Sequence, residues 1–441
     1  MIPVRPSFSM TSQPVMMHRN RPMQGISILP MSPVDHVQFN GISTPKKPVV
    51  VIAGNAFKGT LSADEFNNAV ADGLKDNCTI VKIPMADGGD GSLSVLESAC
   101  PQDFQKIKLT QLCGPLPGMQ IHADVLLNSQ KTEAYIEASA IHGLRLLPGG
   151  KPTPKTGMTA TSYGVGEAIG RLHHQFPTVQ TVHVFLGGSA STDGGLDCLR
   201  ALGYRFLDKS GQEVKPVNPT SMERIHSVQK PPAHPSFPTV IPVVDVKAPY
   251  LKAMTFATQK GIEAGEQPGI AENLKRIAHL LNSEQPDWIE AGGAGAAGGL
   301  GGAIMQAFGT SAVYGGDHIA AQLGLEQAIG KADLVITGEG RLDKTSLQGK
   351  APFVVMKLAA KHHKPVVAIG GKVDLKPEDI QTALGRDAHV LMLPLYPHDH
   401  PLTASDLTQD ASHHQIASRL QENMEQIQTL LSSDRPAHKA E

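Results

Sequence analysis

The chain has 441 residues, 40% of them hydrophobic and 18% charged, with a formal net charge of −2 and 4% aromatics. That length exceeds one ordinary core and predicts two domains; the near-neutral charge excludes the basic field of a nucleic-acid binder, and no apolar run approaches the roughly 18 residues of a membrane span. The cysteines Cys78, Cys100, Cys113 and Cys198 form neither a CxxC pair nor a short secreted frame, so they read as reduced and structural in a cytoplasmic protein.

Residues 1–45 are rich in Met, Pro and Ser and have no helical or strand period. They lack the continuous apolar core of a secretory signal. They read as a disordered extension or an over-long gene model, with an organelle-targeting peptide as the lesser alternative.

Order is expected from Pro48, where Val49 to Ala53 make a first buried strand ending in Asn55-Ala56-Phe57-Lys58-Gly59. Ser62 then opens a helix, with Glu65 three residues on as the second half of a capping box. Lys58 lies between strand end and helix start, where backbone N–H groups favour anions. The loop is no Walker A, because the lysine precedes its glycine. A second strand, Thr79 to Pro84, leads into Asp87-Gly88-Gly89-Asp90-Gly91-Ser92 and another helix. Glycines here let backbone approach a ligand closely, and the carboxylates suit Mg²⁺ or a substrate hydroxyl.

From Phe104 to Leu147 the pattern changes to short alternating runs, including Ile121–Leu127 and Glu133–Ile136, as in a smaller inserted β-rich lobe. A helix follows from Gly166. Thr181 to Leu186 is a further buried strand, and Gly187-Gly188-Ser189-Ala190-Ser191-Thr192-Asp193-Gly194-Gly195 is the most specific loop, with Asp193 the first candidate for general base. Residues 211–240 read as surface connection, and Val243 to Val246, which follows, carries Asp245. GGAGAAGGLGG holds a G-x-G-x-x-G at Gly293, Gly295 and Gly298, but Asp287 to Glu290 before it is not strand-like and no βαβ unit is evident. Close backbone packing or a phosphate-facing helix start explains it better.

Leu334 to Ile336 form a strand that should stop at Thr337-Gly338, followed by a turn with Glu339, Gly340, Arg341 and Asp343, then Lys350. Carboxylates, a guanidinium and an ammonium on one loop suit an anionic substrate handled with a divalent metal. A helix to about His362, strands at Pro365–Ile369 and His389–Leu393, and a final amphipathic helix near Ala411–Leu431 complete the chain. In open α/β sheets the loops after the strands receive ligands. Converging, these loops would handle a transferring phosphoryl group, which is largely a positioning and electrostatic task.

FKGTLSADE, PMADGGDGS, FLGGSASTDGG, GAGAAGGLGG and DLVITGEGRLDKTSLQGKAP resemble, in order, the motifs of the type-1 glycerate kinase family. The resemblance runs from about Val49 to the last helix. It implies ATP-dependent phosphorylation of D-glycerate, favouring 2-phosphoglycerate, with ATP and Mg²⁺ as cofactors. The fold it implies is an α/β one of two lobes: a flavodoxin-like (Rossmann-like) parallel-sheet domain at 46–100 and 290–435, interrupted by an inserted α+β domain at 101–289. Family motif positions carry over to Lys58, Asp87, Ser189, Asp193, Glu339, Arg341, Asp343 and Lys350. The resulting site has Asp193, Lys58 and Arg341 as catalytic residues and Asp87, Glu339 and Asp343 as metal ligands, although base and ligand roles are interchangeable at this stage. Substrate and nucleotide would meet Asn55, Gly59, Gly88, Gly89, Gly187, Gly188, Ser189, Ser191, Gly338, Gly340 and Lys350, with the glycerate carboxylate on Arg341 or a lysine. Where the family usually reads aspartate-serine, this chain has Asn55-Ala56, and where it reads aspartate-valine-x-asparagine-proline, this chain has Asp245-Val246-Lys247-Ala248-Pro249. Asp90 and Ser92 replace a commoner glutamate and threonine. Alternatives are a kinase for a related hydroxy acid or a non-catalytic sugar-acid or nucleotide sensor on the same fold; no nucleic-acid or membrane partner is expected, and a homodimer is the assembly to test.

Overall fold

The structure, a computed structural model, describes residues 47–433 other than 58, 75–77, 233–236, 282–286, 397–405 and 407. The N-terminal extension and Lys58 therefore lie outside the described residues.

Two sheets organise the chain. The first contains β1 (Val49–Ile52) and β2 (Thr79–Lys82). The second contains β3 (Phe104–Cys113), β4 (Gln120–Asn128), β5 (Glu133–Glu137) and β6 (Thr181–Phe185). A small antiparallel hairpin, β7 (Arg205–Leu207) with β8 (Ser227–Gln229), precedes β9 (Thr239–Val244) and β10 (Val313–Tyr314), which return to the second sheet. The chain then rejoins the first sheet with β11 (Leu334–Leu342), β12 (Val366–Val373) and β13 (Val390–Pro394).

The first sheet runs β13-β12-β11-β1-β2, all parallel. Counted within the sheet this is order 2-1-3-4-5, the flavodoxin-like arrangement expected, and its switch point lies between β1 and β11. Parallel strands need crossover helices, so both faces are covered and the strands read as continuous apolar runs. Alternate residues divide as that requires. Val50, Ile52, Ile336 and Ile369 meet α1 (Ala63–Leu74) and, near the C-terminus, Ile416 and Leu420. Val51, Val335 and Ala368 face the opposite way, toward Val354 and Val355.

The second sheet, order β10-β9-β6-β5-β4-β3, joins an antiparallel meander (β3-β4-β5) to parallel strands (β5-β6-β9-β10). Its last strand and the helix Leu300–Phe308 that packs on it come from beyond residue 289. No described helix is long and apolar enough to cross a membrane.

Several expectations hold in detail. The capping box at α1 is formed: the Glu65 amide donates to Ser62 Oγ at 3.2 Å, and the Ser62 amide to Glu65 Oε2 at 2.7 Å. Others need correcting. β11 continues through Glu339 and Arg341 to Leu342, because β12 is long enough to pair with it, Glu339 opposite Gly370 and Arg341 opposite Lys372. Residues 211–240 are more than a connection: Val214, Val217, Met222 and Ile225 are buried with Phe206 and Leu274, single apolar residues that Pro and Gln neighbours disguise. The final helix is two, Gln409–Glu422 and Met424–Ser433, divided at Asn423.

Candidate active site

The carboxyl ends of strands from both sheets face one cleft made of two adjoining pockets. Asn55 and Phe57 after β1, Asp87 after β2 and Asp245 after β9 border both. The pocket on the second-sheet side, about 580 Å³, adds Gly89, Asp90, Ser139, Arg145, Gly187 and Gly188. The pocket on the first-sheet side, about 490 Å³, lies at the switch point and adds Glu339, Arg341, Asp343, Lys350, Gly371 and Tyr396.

Asp87 is held from two sides. Its Oδ2 accepts from Asn55 Nδ2 at 2.8 Å, and its Oδ1 accepts from the backbone N–H of Ala351, the first residue of the helix Ala351–Lys361. A helix N-terminus favours such an anion. Glu339 is buried, accepts a short bond from Ser346 Oγ and pairs with Lys350 Nζ at 3.7 Å. Burial pushes its carboxyl up to about 7, against the lowering pull of Ser346 and Lys350. Asp343 lines the same pocket, but its Oδ1 is occupied by the amide and hydroxyl of Thr345 at 2.8 and 2.6 Å. Arg341 reaches the rim, where Nε and Nη2 bind Asp374 at 2.7 and 2.6 Å.

The loop after β6 divides. Gly187 and Gly188 face the cleft, while Ser189 to Asp193 are buried. Gly187 meets the other sheet's loop backbone to backbone: a Cβ there would lie 2.5 Å from Gly89 Cα. Asp193 is fully buried and lines neither pocket; Oδ2 accepts from the Ser162 amide and hydroxyl, both at 2.7 Å, and Oδ1 from the Gly195 amide at 3.1 Å. Burial and the nearby Asp197 push it up to about 6, which those hydrogen bonds only partly offset. Ser189 and Ser191 are tied to a buried lysine: Lys260 Nζ donates to Ser189 Oγ at 2.7 Å and to the Ser191 carbonyl at 2.9 Å. Burial lowers that ammonium to about 8, although Asp193 and Asp245 favour its charge.

The glycine-rich 292–302 stretch explains why that loop is inaccessible. A Cβ on Gly298 would lie 2.2 Å from the Ser191 carbonyl oxygen, and one on Gly299 2.7 Å from Gly194 Cα. Close packing, rather than a nucleotide fingerprint, is its role. Gly338 is likewise packed behind the cleft, where a Cβ would meet the Phe66 ring at 2.7 Å, and Gly88 is packed against Gly315. Gly59 and Gly340 line the pockets.

Sequence reasoning did not include Asp245, Arg145 or Ser139 in the cleft, nor the buried Lys260 behind it. Asp245 carried a usable signal, since it follows an apolar strand just as Asn55 and Gly187 do. Arg145 and Lys260 come from short turns without motif or period. Glu137 was also missed. Its carboxylate accepts from the Gly91 and Leu93 amides at 3.1 and 3.3 Å, capping the helix Ser92–Ala99 from the other sheet.

The sequence matches the profile of the glycerate kinase family over residues 50–430. The chain belongs to the glycerate kinase family. Among relatives, an uncharacterized Synechocystis protein is 36% identical over 330 residues, covering 74% of this chain and 86% of its own. The glycerate 2-kinase of Escherichia coli is 32% identical over 334 residues, covering 74% of this chain and 85% of its own. A crystal structure assigned as glycerate kinase 2 from Salmonella typhimurium LT2 superposes with a TM-score of 0.68 at 28% identity, covering 88% of this chain and 100% of that one. The shared cleft is lined by charged side chains, whereas residues 189–195 are buried.

Among the described residues no three His, Cys, Asp or Glu side chains gather as a protein-only metal cage would require. Mg²⁺ does not need one, since one or two carboxylates plus substrate phosphates and water suffice. Asp87 and Glu339, hard oxygen donors on one pocket wall, fit that pattern.

Proposed function

We propose that the protein transfers the γ-phosphoryl group of ATP to D-glycerate, giving 2-phosphoglycerate. The observation that carries this reading is the junction of the two pockets, where Asp87 from one sheet and Asp245 from the other border both spaces. A hydroxyl in one pocket and a phosphoryl group in the other would meet there. Phosphoryl transfer asks little covalent chemistry of a protein, and most of its catalysis is alignment and charge stabilisation.

In this reading Asp87 and Glu339 would hold Mg²⁺, which when bound neutralises phosphate charge. Lys350, at the start of the helix Ala351–Lys361, faces the phosphates together with that helix's N-terminus, a favourable place for anions. The substrate hydroxyl oxygen attacks the γ-phosphorus, the bond to the β,γ-bridging oxygen breaks with its electron pair leaving on ADP, and the hydroxyl proton passes to Asp245. Asp193, enclosed by its three donors, anchors the Gly187–Ser191 loop instead of meeting substrate, since a base must come within hydrogen-bond reach of the proton it takes. The E. coli relative's name, glycerate 2-kinase, supports the 2-hydroxyl as acceptor.

The test is a coupled ADP-release assay over a panel of hydroxy acids with MgATP, and ³¹P NMR of the product. D-Glycerate should be turned over to 2-phosphoglycerate. Nucleotide and acid binding without ADP release would favour a sensor instead, and faster turnover of another acid would reassign the substrate. Free cysteines and a small polar metabolite as substrate support a cytoplasmic enzyme, and sedimentation would test the homodimer.

A further inference from the structure

A kinase acting on a hydroxy acid must recognise the acid's carboxylate, and the cations facing this cleft differ in what they have left to offer. Arg341 spends Nε and Nη2 on Asp374 and lies 3.7 Å from Asp343. Lys350 is paired with Glu339 beside the helix N-terminus. Arg145 is different: among the described residues its guanidinium has one ionic partner, Asp90 Oδ1, at 2.5 Å from Nη2. A guanidinium carries five N–H donors in a planar fork that matches a carboxylate, so most of that fork remains open on the 580 Å³ pocket it lines.

The position of Arg145 is built. It sits in a single turn, Leu144–Leu146, whose first amide donates to the Gly188 carbonyl at 3.0 Å. Gly143 forms a bridge with Ser189. The arginine backbone is thus stitched to the same loop that presents Gly187 and Gly188. Around it stand groups suited to a small polyol: Ser139, whose hydroxyl touches Asp90 at 3.2 Å, and Thr60 and Ser62 across the pocket. The neighbouring pocket has a different character, combining Lys350 and the helix N-terminus with Val246, Leu395 and Tyr396, as phosphates and a flat base require.

Building on the glycerate kinase reading, we propose that Arg145 recognises the carboxylate of the hydroxy acid, so that the acid occupies the second-sheet pocket and the nucleotide the first-sheet one. Asp90 holds the guanidinium toward the pocket until the acid's carboxylate takes the open side of the fork. Arg145 is then a specificity-determining residue, selecting acids over neutral diols.

The experiment measures KM for D-glycerate and for ATP separately in the full chain and in Arg145→Met and Arg145→Lys, with D-glyceramide as the neutral analogue. Arg145→Met should raise KM for D-glycerate about tenfold or more, the loss expected of a charge-assisted fork, while KM for ATP stays within about twofold. Arg145→Lys, retaining charge without the fork, should fall between. The parent's preference for glycerate over glyceramide should collapse in Arg145→Met. The arginine side chain is 65% exposed, so both variants should fold, which melting curves check. A rise in KM for ATP instead of glycerate would overturn the assignment, as would an Arg145→Met enzyme with unchanged preference for the acid. An active parent with indifferent variants defeats this proposal alone, whereas a parent inactive on every hydroxy acid defeats the kinase reading and this proposal with it.

Discussion

Replacing Gly298 with alanine should damage both stability and turnover, and the structure gives the size of the effect. Gly298 has φ +68, and a Cβ there would lie 2.2 Å from the Ser191 carbonyl oxygen and 2.8 Å from Thr192 Cα. Holding an L-residue in the left-handed region costs about 1–2 kcal/mol. The overlap is with backbone, which cannot rotate aside, so forced repacking adds about 1–3 kcal/mol. A total of about 2–5 kcal/mol, divided by an unfolding entropy of roughly 0.8 kcal/mol/K for a fold of this size, lowers Tm by roughly 2–6 °C. The displaced segment carries the Gly194 amide that donates to the Gly298 carbonyl at 2.9 Å, and it leads back to Gly187 and Gly188 in the cleft. kcat/KM for glycerate should therefore fall with stability. Gly309→Ala is the control: its φ is +63, but nothing lies within 4 Å of a Cβ there, so only the backbone penalty applies. Melting curves with the ADP-release assay read both. If Gly298→Ala behaves like Gly309→Ala and keeps full activity, the close-packing role assigned to 292–302 is wrong.

Three further outcomes are expected. Glu339 has its folded pKa raised from 4.5 to about 7, so its contribution favours folding most below pH 4.5 and is lost as pH rises through about 7; Glu339→Gln should gain stability relative to the parent across that window and bind MgATP less tightly, and parallel stability–pH curves would refute it. Asn55→Asp would set a second carboxylate where Asn55 Nδ2 now donates to Asp87 at 2.8 Å. Like charges that close disfavour joint ionisation, so its Tm should drop in EDTA and recover with Mg²⁺ more than the parent's does; a drop that Mg²⁺ leaves untouched would count against a cation site beside Asp87. Asp193→Asn turns an acceptor of three donors into a group with one N–H₂ end, at a cost of about 1–3 kcal/mol for the mismatched buried donor, and should lower Tm as well as turnover. Unchanged melting with turnover abolished would return Asp193 to the role of base.

Local sequence determined what depends on neighbours a few residues apart. Apolar runs at Val49–Ile52, Thr181–Phe185 and Leu334–Ile336 are strands because a doubly covered parallel strand must be apolar on both faces, and Ser62 with Glu65 caps a helix within one turn. The rule that ligands gather after such strands located Asn55, Asp87, Gly187 and Glu339, all on or beside the cleft, while ordered motifs carried the family. Depth was not legible. Asp193 and Asp245 each stand in or beside a strand-end loop, yet one is enclosed by Ser162 and Gly195 while the other borders both pockets. What separates them is where the 292–302 backbone, about a hundred residues along the chain from Asp193, makes its contacts: Gly298 and Gly299 pack on Ser191 and Gly194 around Asp193, whereas Gly295 meets Ala248 and Pro249, beyond Asp245. Arg145 and Lys260 differ the same way, one at 65% side-chain exposure on the pocket wall and one buried against Ser189. Burial, and with it which charges remain available to a substrate, is a property of surfaces brought together from distant segments, so only the tertiary structure decided it.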